Sequence, residues 1–188
     1  MEDKKFIVGL LNDHATSLVH FVNQQSPDEF IKSINGKWSV GQNLDHLIRS
    51  LSPVNQALLL PSFVLRMMFG KPNRTGRNYQ ELVDRYHQKL SAGGRATGQF
   101  IPPAILWEQK ESKVADFNRQ RDRMIKRLES WSEDQLDQYL LPHPLLGKIT
   151  LREMLFFQPI TFNIIYISLK SAKEVPTNLL IKFLPLPD

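Results

Sequence analysis

One short segment of the sequence, GKWSVGQNLDHLI (residues 36–48), carries residue types that could do chemistry. His46 follows Gln42 by four residues, so the two side chains would share one face of a helix. The imidazole of His46 could bind a metal ion or act as a catalytic base. It could also be a core histidine held by neighbouring groups, because buried polar atoms are normally hydrogen-bonded. The segment therefore predicts a polar site on a helix and leaves its chemistry open.

Several other kinds of site are excluded by the composition and the motifs. The chain of 188 residues has no cysteine, so disulfides, Cys-ligated zinc and Cys nucleophiles are ruled out. No serine stands in a nucleophile elbow, and the SAGGRATG segment lacks the spacing of a phosphate-binding loop. Of the other histidines, His14 falls on an apolar helical stripe, whereas His20 and His87 fall on polar faces. His143 is expected to fix a turn.

The net charge of +5 is concentrated in one part of the chain. The segment from Arg66 to Arg95 contains seven basic and two acidic side chains, and the rest of the chain is balanced. Such a segment could bind phosphate or nucleic acid. It carries no nucleic-acid-binding motif, so we interpret it as a solvated connection and expect no nucleic-acid partner.

The most apolar parts of the sequence do not have the features of targeting or membrane segments. The N-terminal apolar run is interrupted by Asn12, Asp13 and His14 before it could form the core of a signal peptide. The stretch MLFFQPITFNIIYISL is shorter than a bilayer span and contains polar residues. We therefore expect a cytoplasmic protein without a membrane partner.

Hydrophobic periodicity predicts four long helices and no convincing strand. The first runs from about Asp3 to Gln25, and the second begins at Ser39 and keeps helical character to Gly70. The third runs from about Ala104 to Trp131. The fourth runs from Thr150 to Leu169 and is apolar on nearly all sides, so it should be the most buried helix. Capping-box sequences open at Ser26, Ser39, Ser132 and Thr150.

A long irregular segment, residues 71–103, separates the second and third helices and contains one short exposed helix, YQELVDRYHQKL. The tail from Lys173 to Asp188 is rich in proline and leucine, and we expect it either to pack across the bundle or to form an interface such as that of a homodimer. These features predict one all-α domain over residues 1–188. Its fold is an up-and-down four-helix bundle with an extra short helix and a long loop between helices 2 and 3 of the bundle.

Two widely separated motifs resemble those of a known family. GKWSVGQNLDHL resembles the W-S-x-x-x-x-x-x-H-L segment of the DinB-like superfamily (DinB/YfiT type). HPLLGKITLREML, from His143 to Leu155, resembles its second signature, in which a His-Pro and a Gly precede the fourth helix. The resemblance implies a four-helix bundle, in which many members hold nickel or zinc on three histidines. It also implies a relationship to thiol-dependent S-transferases and isomerases that use thiols such as mycothiol or bacillithiol.

Of the three metal-binding histidines of the family, this chain keeps one and lacks two. His46 matches the histidine of the second helix, but the family's H-x-x-x-H pair on the fourth helix falls on Thr161 and Ile165. Threonine is a poor metal ligand and isoleucine is none. We therefore expect no cofactor, with one weakly held divalent ion (nickel or zinc) on His46 as the alternative. Gln42, His46 and Thr161 should form a polar cluster in a pocket beside Ile165. Thr161 or Gln42 should hydrogen-bond to His46, and burial should lower the pKa of the imidazole.

Three functional hypotheses remain. The first is a metal-free or weakly metal-binding, degenerate relative of the S-transferases, with a small-molecule pocket between helices 2 and 4 of the bundle. The second is an active metal-dependent S-transferase or hydrolase in which non-standard ligands, such as His14 or a carboxylate, join His46. The third is a non-catalytic structural or interaction protein. We favour the first, because the lost histidine pair argues against the second and the retained Gln42 and His46 argue against the third.

Overall fold

The computed structural model describes residues 2–33 and 36–174, and within them the chain forms eight α-helices and one small sheet. The tail after residue 174, for which an interface or packing role was expected, lies outside the described residues. The helices are α1 (Lys4–Asn23), α2 (Pro27–Ile31), α3 (Val40–Ala57), α4 (Ser62–Phe69), α5 (Tyr79–Ser91), α6 (Lys110–Leu128), α7 (Glu133–Gln138) and α8 (Leu151–Glu174). The strands are β1 (Leu140–His143) and β2 (Gly147–Thr150), and two single 3-10 turns cover Gly98–Phe100 and Trp107–Gln109.

The four long helices α1, α3, α6 and α8 form the predicted bundle. Helix α1 packs along α8 and α3 packs along α6, while α3 with α8 and α1 with α6 close the other two sides. In the interior, the rings of Phe117 on α6 and Phe162 on α8 meet edge to face, with centroids 5.0 Å apart. The all-α class and the bundle fold are thus confirmed.

Helix α8 is the most deeply buried element, as its apolar composition predicted. From Leu151 to Phe162 every side chain except that of Arg152 is buried. Pro159 lies inside the helix, and the carbonyl oxygen of Pro159 accepts a hydrogen bond from Nδ1 of His14 at 2.9 Å. Within the part of the chain that the structure describes, no helix is long and apolar enough to cross a membrane.

The starts of the helices that carry a side-chain cap agree closely with the sequence. All four predicted capping boxes form, because each requires only two side chains three residues apart and the backbone N–H groups beside them. At α1, the Asp3 carboxylate accepts from the N–H of Phe6 at 3.0 Å. Local signals were therefore sufficient to place these helix N-termini.

The second predicted helical stretch is divided between two helices. Helix α3 continues through Pro53 to Ala57, and Pro61 then precedes the separate helix α4. Helix α4 stops before Gly70, whose φ of 86° is available to glycine at little cost.

The predicted start of the third bundle helix at about Ala104 was too early. Pro102 and Pro103 remove two backbone donors and disfavour helical conformation before them. The chain therefore stays irregular until the 3-10 turn at Trp107–Gln109, and α6 begins at Lys110.

The expectation of no strand was wrong for the segment that leads into α8. Strands β1 and β2 pair antiparallel, with Leu140 opposite Thr150 and His143 opposite Gly147. The strands have only four residues each, and β1 contains Pro142, which masked the alternation typical of a strand. Gly147 closes the turn with a φ of 75°, a conformation that favours glycine.

A buried carboxylate joins this hairpin to the basic segment. Glu153, in the first turn of α8, is fully buried and accepts the N–H of Thr150 at 2.7 Å. Its carboxylate also accepts from the guanidinium of Arg74 at 2.9 Å, from that of Arg77 at 3.0 Å and from the Arg77 N–H at 3.1 Å. Two of the cations in the basic segment thus have a structural partner.

These bonds decide the protonation of Glu153. Burial alone would raise the pKa of this carboxyl, but the bonds from Arg74, Thr150 and Arg77 hold it below the ordinary value of 4.5. Because the folded-state pKa is depressed, the carboxylate stabilises the fold above pH 4.5, and this contribution is lost as the pH falls through the folded-state pKa.

Glu153→Gln is expected to destabilise the protein by about 3 kcal/mol, because a neutral amide leaves Arg74 and Arg77 without their charged partner. Chemical denaturation at neutral pH measures the change. The matched control is Glu81→Gln, since Glu81 accepts the N–H of Asn78 at 2.9 Å in the capping box of α5 but is exposed. We expect the control to cost under about 0.5 kcal/mol. Equal costs for both variants would show that the arginine contacts contribute nothing.

Candidate functional site

His46 lies on α3, and one of its two ring nitrogens is already hydrogen-bonded. Its Nδ1 lies 2.8 Å from the carbonyl oxygen of Phe100, so Nδ1 carries the proton and donates it. The Trp38 ring lies against the imidazole, with centroids 5.0 Å apart. This tautomer leaves the lone pair on Nε2, and within the described residues Nε2 makes no hydrogen bond. Metal-binding histidines commonly use the same arrangement, in which a carbonyl orients the ring through the other nitrogen.

The protonation of His46 follows the predicted direction. Burial lowers its pKa below the ordinary value of 6.5, while the bond to Phe100 and the nearby charge of Asp45 oppose the shift. The imidazole is therefore neutral at pH 7. A neutral partner was expected and is confirmed, but its identity was predicted wrongly: it is the Phe100 carbonyl and not Thr161 or Gln42.

Two contacts tie the 3-10 turn at residues 98–100 to α3. Besides the His46 bond to Phe100, Nη1 of Arg49 donates to the carbonyl of Gln99 at 3.2 Å. Gly98 begins the turn with a φ of 55°. The turn covers His46, so the connection between α5 and α6 forms one wall of the site. The sequence does not reveal this wall, because the bonded residues lie about fifty positions apart along the chain.

The other predicted site residues have hydrogen bonds of their own. The Gln42 side chain accepts the N–H of Ser39 at 3.1 Å and thereby completes the cap of α3. Thr161 is buried, and its hydroxyl donates to the Phe157 carbonyl at 2.9 Å. Ile165 is partly buried and packs against the core. Within residues 2–33 and 36–174, no hydrogen bond connects His46 to Gln42 or Thr161.

Tyr86 is a neighbour of Thr161 that the sequence did not reveal. Its ring lies edge to face against Phe157, with centroids 4.8 Å apart, and its hydroxyl lies near the Thr161 side chain. Burial raises the pKa of Tyr86 to about 12, and the nearby Thr161 side chain reduces this shift. Helix α5 therefore lies over the position where the second histidine of the family would stand.

A three-histidine metal centre does not fit these side chains. Only His46 supplies an imidazole at the predicted site, the Thr161 hydroxyl is engaged with its own helix, and Ile165 has no donor atom. His14, considered as a substitute ligand, bonds to Pro159. No group of three or more His, Cys, Asp or Glu side chains suited to a metal occurs among the described residues.

Asp45 is adjacent to His46 in the sequence, but its carboxylate binds two cations and not the imidazole. It is buried and receives Nε of Arg49 and Nζ of Lys113, both at 2.6 Å. Burial opposes ionisation, but these two cations hold the pKa of Asp45 below its ordinary value. Asp45 therefore joins α3 to α6 and does not turn toward the imidazole of His46, as expected from its position in the helix.

Concave surface was found in another part of the molecule. Two grooves of about 320 and 370 Å³ lie along α1, and His20 borders both. None of Gln42, His46, Thr161 and Ile165 borders either groove. The predicted pocket between helices 2 and 4 of the bundle, here α3 and α8, stays a prediction.

His143 fixes a turn, as expected. Its Nδ1 accepts the N–H groups of Leu145 and Leu146, both at 3.1 Å, so this nitrogen must be unprotonated. The ring stacks edge to face on Phe157 at 4.1 Å between centroids. Burial lowers the pKa of His143 to about 4.

This shift predicts an acid-sensitive hairpin. Because the folded-state pKa of about 4 lies below the ordinary 6.5, the unfolded chain binds the proton first. The contribution of His143 to stability is complete above pH 6.5 and is lost progressively as the pH falls toward 4. His143→Asn should flatten the dependence of the unfolding free energy on pH in this window. The reason is that Asn Oδ1 can accept in place of Nδ1 and cannot be protonated. An unchanged slope, measured by urea denaturation at several pH values, would contradict the assignment.

The sequence was compared with known families, curated proteins and solved structures. The family model described as DinB superfamily matches residues 10–159, a range that includes His46 and ends two positions before Thr161. The searches of curated proteins and of solved structures gave no match. The match covers most of the chain, both signature motifs lie within it, and the fold is the expected helical bundle. The chain therefore belongs to the DinB superfamily.

Proposed function

We propose that this protein is a degenerate member of the superfamily, related to the thiol-dependent S-transferases, that binds a small molecule beside His46 without a three-histidine metal centre. One observation carries the proposal. The tautomer of His46 is fixed by the Phe100 carbonyl and its Nε2 is left without a hydrogen bond among the described residues, while Thr161 and Ile165 replace the other two ligands.

The state of the imidazole suggests what it would recognise. A neutral ring with a free Nε2 accepts a hydrogen bond, so the ligand should present an N–H, O–H or S–H group. A thiol has an ordinary pKa of about 8.5, at least two units above that of His46, so full transfer of its proton would cost about 3 kcal/mol. Hydrogen bonding to the intact thiol is therefore favoured over formation of a thiolate.

The turn at residues 98–100 would form one edge of the ligand site, on the Nδ1 side of the ring. This turn covers His46 and is held by two side chains of α3, His46 itself and Arg49. The bond from His46 joins neutral groups and contributes about 1 kcal/mol net, while the bond from the charged Arg49 contributes about 1.5–3 kcal/mol. Loss of both bonds on ligand entry would therefore cost less than the binding free energy of a micromolar ligand, which is about 8 kcal/mol.

A non-catalytic structural role is the second candidate. It is favoured by the observation that Gln42, His46 and Thr161 each have a hydrogen bond that supports the fold. The metal-dependent enzyme is the weakest of the three, because the side chains near His46 do not supply a second and third ligand.

Binding of a thiol separates the first two functions. We expect mycothiol or bacillithiol to shift the NMR signals of the His46 ring. His46→Asn should abolish binding while keeping the fold, because Asn Nδ2 can donate to the Phe100 carbonyl but nothing replaces Nε2. Thr161→Val is the control at the neighbouring position and should retain the signal changes. Failure of both thiols to perturb His46 would favour the structural role.

Metal content tests the other half of the proposal. Protein purified without a metal-affinity tag should contain no stoichiometric nickel or zinc by elemental analysis. The double variant Thr161→His with Ile165→His should regain metal, and its melting temperature should rise with zinc or nickel because binding stabilises the folded state. Adding His46→Ala should remove the rise.

The cost of the double variant follows from the packing. Tyr86 and Phe157 crowd position 161, and an unpaired ring at position 165 costs about 1–3 kcal/mol.

One equivalent of metal in the wild type, lost on His46→Ala, would overturn the metal-free assignment. A folded double variant without metal-dependent stabilisation would show that His46 does not face positions 161 and 165.

A further inference from the structure

Helix α4 exposes apolar side chains on the face where a surface helix normally has polar ones. Leu65 is fully buried and anchors the inner face. On the outer side, Phe63 is 68% exposed and Met67 is 77% exposed, and the two are one turn apart. Leu59, just before the helix, is 62% exposed and Met68 is 56% exposed. We call these four residues the α4 patch. Large apolar side chains exposed close together in one short segment often mark a site of contact.

The patch is held firmly against the rest of the molecule. Helix α4 packs on β1, and the guanidinium of Arg66 lies over the Tyr139 ring at 5.7 Å from its centroid. At the other end of the helix, Nζ of Lys148 donates to the Phe69 carbonyl at 2.9 Å. The exposure of the patch is therefore a property of a fixed helix.

The surroundings of the patch are basic. The sequence contains no Asp or Glu between Asp45 and Glu81, whereas it contains Arg66 and Lys71 next to the patch. Lys148 adds a third cation through its bond to Phe69. Within the described part of the chain, Arg66, Lys71 and Lys148 form no ion pair, unlike Arg74 and Arg77, which bind Glu153.

We propose that the α4 patch docks on an anionic lipid surface. Apolar side chains beside unpaired cations are the combination that binds at the boundary between acidic headgroups and acyl chains. A second copy of this chain fits less well, because facing patches would bring two sets of cations together. A protein groove fits less well too, because four protruding side chains need a matched cavity, whereas a lipid surface adapts to a convex shape.

Docking of this kind departs from the expectation that the protein has no membrane partner. That expectation rested on the lack of a spanning segment, and a helix that lies on the surface needs none. The proposal does not depend on the small-molecule function of His46.

Vesicle co-sedimentation of the full chain tests the proposal. We expect binding to phosphatidylcholine vesicles that contain about 30% phosphatidylserine and little binding to phosphatidylcholine alone. Raising the salt from about 0.1 M to about 1 M should release the protein, because the Debye length falls from about 10 Å to about 3 Å. No binding to the anionic vesicles would overturn the proposal.

Two variants with matched controls locate the binding surface. Phe63→Gln with Met67→Gln should lower partitioning at least about tenfold, whereas Leu106→Gln with Ile167→Gln, two exposed apolar residues elsewhere, should not. Arg66→Gln with Lys71→Gln should lower partitioning onto the anionic vesicles about fivefold for each lost charge. Arg123→Gln with Lys126→Gln, exposed cations on α6, is the control and should change partitioning less.

All the substituted side chains are exposed, so circular dichroism and melting should show folded variants. Equal effects of the patch and control pairs would overturn the proposal. A concentration-dependent dimer that Phe63→Gln with Met67→Gln dissolves, without vesicle binding, would assign the patch to a second copy of the chain instead.

Discussion

The fully buried carboxylate of Glu153 requires its charge to be balanced inside the protein, and much of the fold follows from how this is done. Its oxygens receive the N–H of Thr150 at the end of β2 and the guanidinium groups of Arg74 and Arg77 from the loop before α5. One side chain thus fixes the start of α8, the exit of the hairpin and the path of the basic segment. Because the first half of α8 is buried on nearly all sides, its starting point decides which residue faces which neighbour.

The long connection between α4 and α6 is consequently tied at both ends. Glu153 holds its beginning, and the bonds from His46 and Arg49 to the turn at residues 98–100 hold its end. Between these ties, α5 buries Leu82 and Tyr86 against the bundle. A buried large apolar side chain contributes about 1.5–3 kcal/mol, against about 1 kcal/mol for a neutral hydrogen bond. Apolar packing therefore supplies most of the stability of this connection, and the polar contacts set its position over Thr161.

The same arrangement explains how the chain tolerates the loss of the family's histidine pair. Buried imidazoles without metal would each need a hydrogen-bond partner. Thr161 satisfies its own hydroxyl on the Phe157 carbonyl, and Ile165 needs only apolar neighbours. His46 is the remaining imidazole, and its Nδ1 is used by the Phe100 carbonyl. What is left at the site is one oriented, neutral nitrogen, which is the basis of the proposed binding function.

The sequence by itself determined the features that depend on residues close together in the chain. It predicted the four bundle helices, the four capping boxes, the turn fixed by His143 and the neutral state of His46. Tertiary structure decided the rest. The hairpin partner of Leu140 is Thr150, the carbonyl that orients His46 belongs to Phe100, and the neighbour of Thr161 is Tyr86. Capping signals act over three or four residues and can be recognised from residue types alone. A partner many residues away is chosen by where the whole chain packs, and no local pattern records that choice.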